Sequence, residues 1–102
     1  LPTDIAWYPV LIYDKDFGHR SLRLENAWGM EIALVTRLVD GSGWCSTVGR
    51  YNTDWNKRPS VRTKRHDKAM YWAERWALGN MASIRAAAAA RAPALRPLSG
   101  EG

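Results

Sequence analysis

The sequence predicts an α+β domain: a small antiparallel sheet of about three strands, a meander with one strong hairpin, packed by a C-terminal helix. Three observations predict it. Residues 30–39 alternate apolar and polar, and after Asp40-Gly41-Ser42-Gly43 the pattern resumes, as two strands joined by a tight turn would. From His66 the period lengthens, and Met70, Ala73, Ala77, Met81 and Ile84 fall on one helical face. The chain has 102 residues, 46% hydrophobic and 25% charged, which is enough for one modest core and no more. Residues 1–91 therefore read as a single domain and 92–102 as a tail.

Taken in order, Ile5–Tyr13 is apolar and β-rich, a strand that Pro9 confines to an edge or a bulge. Asp14-Lys15-Asp16-Phe17-Gly18 reads as a turn, Ser21–Glu25 as a short, weak strand, and Asn26-Ala27-Trp28-Gly29 as a loop. In Met30–Val39, Met30, Ile32, Leu34 and Leu38 form one face, with Glu31 and Arg37 opposite. Trp44–Tyr51 returns as the partner strand, and Asn52–Pro59 is a polar loop or an extended hairpin tip. Asp67 or Thr63 is placed to cap the helix that follows. Gly79-Asn80 ends or kinks that helix, and the alanine run within Met81–Arg91 favours a second helical stretch. Pro93 and Pro97 stop it, leaving a tail with nothing to bury.

Charge is distributed unevenly. Gly49–Arg75 carries eight cations against three carboxylates, a net of +5, whereas residues 1–48 sum to −2. Tyr51, Trp55, Tyr71 and Trp72 are threaded through the basic stretch. Such a segment attracts polyanions or an acidic protein face. The residues expected to contact a nucleic acid or a partner are Arg50, Tyr51, Trp55, Lys57, Arg58, Arg62, Lys64, Arg65, Lys68 and Trp72. Cations would meet phosphates, and Tyr51 or Trp55 would stack on bases. Extended backbone at 60–64 would bring Arg62 and Lys64 to one face. The plainer alternative is a solvated loop and helix face. Six Trp in so small a domain exceed what its core holds, and Trp55, set among Asn, Asp and Lys, is the one expected at the surface. Trp7, Trp28, Trp44 and Trp76 read as packing residues, with Trp72 left open.

No catalytic or metal constellation is legible, so the chain reads as a non-enzymatic binding module without a cofactor. His19 and His66 have no second His or Cys at ligand spacing. Cys45 sits in a strand beside Trp44, where a small thiol is ordinarily core. Gly41-Ser42-Gly43 precedes a strand, whereas a phosphate loop would open a helix. A lone cysteine forms no internal disulfide, which fits a reducing, intracellular compartment such as cytoplasm or organelle matrix. No apolar run approaches a membrane span. The chain begins at Leu1, as a processed or partial chain would.

Strands in a meander followed by a helix are similar in element order to the AP2-like and integrase arm-binding domains. That resemblance, one of topology alone, implies a sheet entering a DNA groove with the helix behind it. A second expectation is a protein-binding inhibitor or accessory subunit. Small Trp-rich chains are similar to phage-type inhibitors, including anti-CRISPR proteins, and to subunits of organellar complexes. There Trp55, Trp72 and the basic face would form the hot spot, or Asp4, Asp14, Asp16, Glu25 and Glu31 would mimic a nucleic acid.

Overall fold

Five strands, rather than about three, form one antiparallel sheet in the order β1-β2-β3-β4-β5 in this computed structural model, which describes residues 1–25 and 29–91. They are β1 (Ile5–Pro9), β2 (Arg20–Leu24), β3 (Met30–Arg37), β4 (Trp44–Val48) and β5 (Ser60–Thr63). Two helices follow, α1 (His66–Gly79) and α2 (Met81–Arg91), so the chain is α+β with the helices last. The expectations for Asn26, Ala27 and Trp28 and for the tail after Arg91 lie outside the described residues. Among the described residues, no helix is long and apolar enough to cross a membrane.

Of the five, β2 is the short strand expected at Ser21–Glu25, and β5 is additional, hidden by its composition. Ser21–Glu25 looked weak because its alternation is short, yet Leu22 and Leu24 are fully buried between β1 and β3. Ser60–Thr63 lay inside a basic run, but Val61 pairs with Ser46 and Arg62 with Cys45. Pro9 ends β1 on the sheet edge, where its missing N–H costs no ladder bond. Past it the chain extends to a two-residue turn. Ile12 and Lys15 exchange both backbone bonds at 3.0 Å around Tyr13 and Asp14, which adopt φ 52° and 62°. The central residues of the turn thus begin one position before the predicted Asp14–Gly18.

The single-period reading of β3 is also corrected. Leu22 pairs with Ala33 but Arg23 pairs with Glu31, so Ile32 is an extra, bulged residue. The bulge flips the phase. Met30 and Ile32 face the core, and after them Ala33 and Val35 do; Leu34 turns to the other face, in line with Ser21 and Thr47.

Helix α1 lies across β4 and reaches β5 and β3. Its buried stripe is Ala69, Ala73 and Ala77, one residue per turn, rather than one starting at Met70. Small side chains let the helix backbone sit close to the sheet. Neither expected cap operates: the N-cap is Arg65, which makes no side-chain cap bond. Asp67 instead pairs with Arg65 at 2.7 Å, and the Thr63 hydroxyl donates to the Arg65 carbonyl. At Asn80 the helix breaks; the Asn80 amide donates to the Trp76 carbonyl at 2.8 Å, and α2 restarts with Ile84 in the core. Arg85 of α2 forms a two-armed pair with Asp4, tying the last helix to the start of the first strand.

The trace of β5 depends on Gly43. A Cβ there would lie 2.2 Å from the Thr63 carbonyl oxygen and 3.2 Å from the Lys64 Cα, so only glycine admits the end of β5. Under α1, the Ser46 hydroxyl is fully buried with no hydrogen-bond partner among the described residues. An unpaired buried hydroxyl costs more than it returns. Ser46→Ala is therefore expected to raise the unfolding free energy by about 1 kcal/mol in urea titration; a loss of comparable size would mean that the hydroxyl is paired in solution.

Candidate functional site

The sheet has two sides with different chemistry. One carries the core and the helices. The other is open, and at its centre Glu31 accepts hydrogen bonds from the Ser21 hydroxyl at 2.6 Å and from Arg50 Nε at 2.9 Å. Arg23 Nε donates to Ser21 Oγ at 3.0 Å, and its guanidinium lies 5.9 Å from the Tyr8 ring centroid. The Tyr8 hydroxyl donates to Glu25, and that bond pushes the Tyr8 pKa up. On the open face, then, Arg50 is held against a carboxylate, and Arg23 is held by the Ser21 hydroxyl and the Tyr8 ring.

The expected site residues separate accordingly. Arg50 is engaged with Glu31. Tyr51 turns towards the helices: its hydroxyl lies 3.1 Å from Ser83 Oγ, its ring centroid 6.4 Å from that of Trp76, and both rings pack on the core. Trp72 is half-buried against the same core. Arg65 is committed to Asp67 by two bonds. That leaves Trp55, Lys57, Arg58, Arg62, Lys64 and Lys68 along one border of the molecule.

This border is built by the segment from Gly49 to Arg58. Gly49 adopts φ +66°, and a Cβ there would sit 2.3 Å from the Lys57 carbonyl oxygen. The Asn52 amide donates to that carbonyl at 3.2 Å, and Arg58 Nε donates to the Asn52 carbonyl at 2.6 Å. Asp54 caps a single 3-10 turn, Trp55–Lys57, by accepting from the Asn56 N–H at 3.0 Å. The loop is thus closed on itself, yet it holds Trp55 out: the side chain is 75% exposed. The Arg58 guanidinium lies over one face of the ring, 4.8 Å from its centroid. The other face is open to solvent.

Beyond Pro59 the border continues as the outer edge of β5. The Val48 N–H donates to the Pro59 carbonyl at 2.9 Å, which fixes the alternation. Pro59, Val61 and Thr63 direct their backbone groups at β4, and Ser60 and Arg62 direct theirs outward. Lys57, Arg62, Lys64 and Lys68 are exposed and make no ion pair among the described residues. Arg62 also lies near Asp40, whose carboxyl is held below its ordinary value, first by the Ser42 hydroxyl and more weakly by Arg62.

The acidic residues of the first half are largely spoken for. Asp4 is paired with Arg85, Asp16 with Arg20 at 2.7 Å, and Glu31 with Ser21 and Arg50. His66 bonds the Gly18 carbonyl at 2.7 Å and meets Trp44 edge-on at 4.5 Å, pinning the β1–β2 connection to the start of α1. A shallow cleft of about 490 Å³ runs along α1, lined by Asp67, Lys68, Met70, Tyr71 and Glu74. Its carboxylates already accept from Arg65 and from the Trp7 indole N–H. No group of three or more His, Cys, Asp and Glu residues that could hold a metal occurs among the described residues.

One surface was not anticipated. Leu11, Ile12, Tyr13 and Phe17 are all exposed at the β1–β2 turn, Tyr13 at 93%. The apolar run through Tyr13 predicts a strand; its continuation past Pro9 is the sign in the sequence that it leaves the sheet.

The chain matches no family model, no curated protein and no solved structure.

Asp4, Asp16 and Asp67 are all held below the ordinary carboxylate value, chiefly by their hydrogen bonds to Arg85, Arg20 and Arg65. A depressed folded-state pKa adds stability above the unfolded value and loses it as pH falls through the folded one. Urea midpoints are thus expected to be insensitive to these groups above pH ~5 and to drop below about pH 4. In Asp4→Asn the midpoint at neutral pH should be lower and its acid drop smaller; an unchanged acid drop would show that the Asp4–Arg85 pair adds nothing.

Proposed function

We propose that the chain is a small binding module that contacts nucleic-acid phosphates through the border formed by Lys57, Arg58, Arg62, Lys64 and Lys68, with Trp55 stacking beside them. The observation that carries this reading is Trp55 itself. A tryptophan 75% exposed, backed by Arg58 and held out by a hydrogen-bonded loop, is unexplained by packing. In line with it stand four exposed cations that make no ion pair among the described residues, and the outward N–H groups of Ser60 and Arg62 add donors suited to phosphate oxygens. Tyr51, Trp72, Arg50 and Arg65 are left out because each is engaged within the fold.

Contact through the flat of the open sheet face is disfavoured electrostatically. A duplex laid there would bring its phosphates onto Glu31 and Glu25, and Arg50 beside them is already paired with Glu31. No recognition helix rich in Asn, Gln and Arg is present among the described residues, so weak sequence preference follows.

A second reading, docking on a larger protein assembly, is favoured by the exposed apolar turn at Leu11, Ile12, Tyr13 and Phe17. Nucleic-acid mimicry by the acidic half loses support, since Asp4, Asp16 and Glu31 are neutralised by arginines.

Fluorescence anisotropy of labelled oligonucleotides at two salt concentrations tests the first reading. Binding should weaken steeply with salt, and the triple variant Lys57→Ala, Arg62→Ala, Lys64→Ala should flatten the log–log salt slope by about 2–3 while leaving the circular dichroism spectrum intact. Absence of binding at low salt would refute it and leave the docking reading.

A further inference from the structure

Resting on the phosphate-contact reading, we infer that the site takes an unpaired single strand, with one base stacked on the open face of Trp55 opposite Arg58. The geometry gives three reasons. First, Trp55 is the only fully presented ring of the expected site: Tyr51 and Trp72 face the core, and Arg58 covers just one of the two Trp55 faces. In a duplex every internal base is already stacked on its neighbours, so a ring fixed at the protein's border gains a base only from an unpaired strand. Second, the ring is preorganised. The Gly49 turn, the Asn52–Lys57 and Arg58–Asn52 bonds and the Asp54 cap hold the loop without burying its aromatic, so little ordering entropy is lost on stacking.

Third, the cations form a row rather than a patch. Arg62 and Ser60 project from one edge strand, with Lys57 and Arg58 before it and Lys64 after it. From Arg58 to Lys64 an extended chain covers about 20 Å, room for roughly six nucleotides at the ~3.4 Å rise of a stacked strand. A single row follows one backbone. A duplex presents two, and the second would pass over the open face with its central Glu31.

The test uses the whole chain and three labelled probes in anisotropy titrations at low and moderate salt: a twelve-residue oligothymidine, the same sugar–phosphate chain with abasic sites, and a blunt hairpin duplex. The wild type is expected to bind the oligothymidine about tenfold more tightly than the abasic strand, with quenching of tryptophan emission seen for the base-bearing strand alone. Trp55→Ala should bring the oligothymidine down to the abasic level and leave the abasic affinity unchanged; Trp55→Phe should restore most of the difference. A thermal melt of Trp55→Ala matching the wild type separates this from misfolding. Equal, salt-sensitive binding of abasic and base-bearing strands would overturn the inference while leaving the phosphate contacts standing. Tighter binding of the duplex would overturn it as well. Failure to bind any of the three at low salt would remove both readings.

Discussion

The contact on which the rest of the structure depends is the alanine stripe of α1 against β4. Ala69, Ala73 and Ala77 are all fully buried, and their size sets how closely the helix lies on the sheet. A five-stranded sheet with one helix layer has one covered face, and the chain must mark which face that is. Leu22, Ala33 and Val48 line up across three strands beneath the helices, while Ser21, Leu34 and Thr47 line up on the other side. The bulge at Ile32 reconciles the two halves of β3 with that assignment by placing two consecutive residues inward.

Sidedness then determines what the basic segment can be. Because α1 crosses β4 and touches β5, the start of the helix and the outer edge of β5 share a border. Lys57, Arg62, Lys64 and Lys68 collect there, and charged side chains on a terminal strand also guard it against pairing with another chain. Edge protection accounts for cations at Arg62 and Lys64. It does not account for Trp55, which lies outside the strand, is exposed, and is supported by Arg58 on one side only. That asymmetry is what supports the proposal of a ligand at this border over a merely solvated one.

Much of this was legible in the residues. The period change at His66, the Asp40–Gly43 turn, the break at Gly79-Asn80 and the exposure of Trp55 follow from local rules that tertiary contacts did not override. What escaped notice depended on partners distant in sequence. The strand at Ser60–Thr63 is only four residues long and owes its existence to β4 and to the glycine at position 43. The phase flip in β3 is a property of its pairing with β2, not of its own pattern. Asp67 had the composition of a cap but was drawn off by Arg65. Among the site residues, charge and aromaticity named ten candidates, but which were free depended on Glu31, Ser83 and the core. Arg50 was indistinguishable in sequence from Lys57.

The most direct test of the central claim, that the Trp55 to Lys68 border is the contact surface, is a titration of the ¹⁵N-labelled chain with a short single-stranded oligonucleotide, followed by amide and indole chemical shifts. The account predicts the largest changes at the Trp55 indole and at the amides of residues 57–64, with Tyr8, Arg23 and Glu31 on the open face little affected. Changes centred on the open face or on the Leu11–Phe17 turn would contradict it.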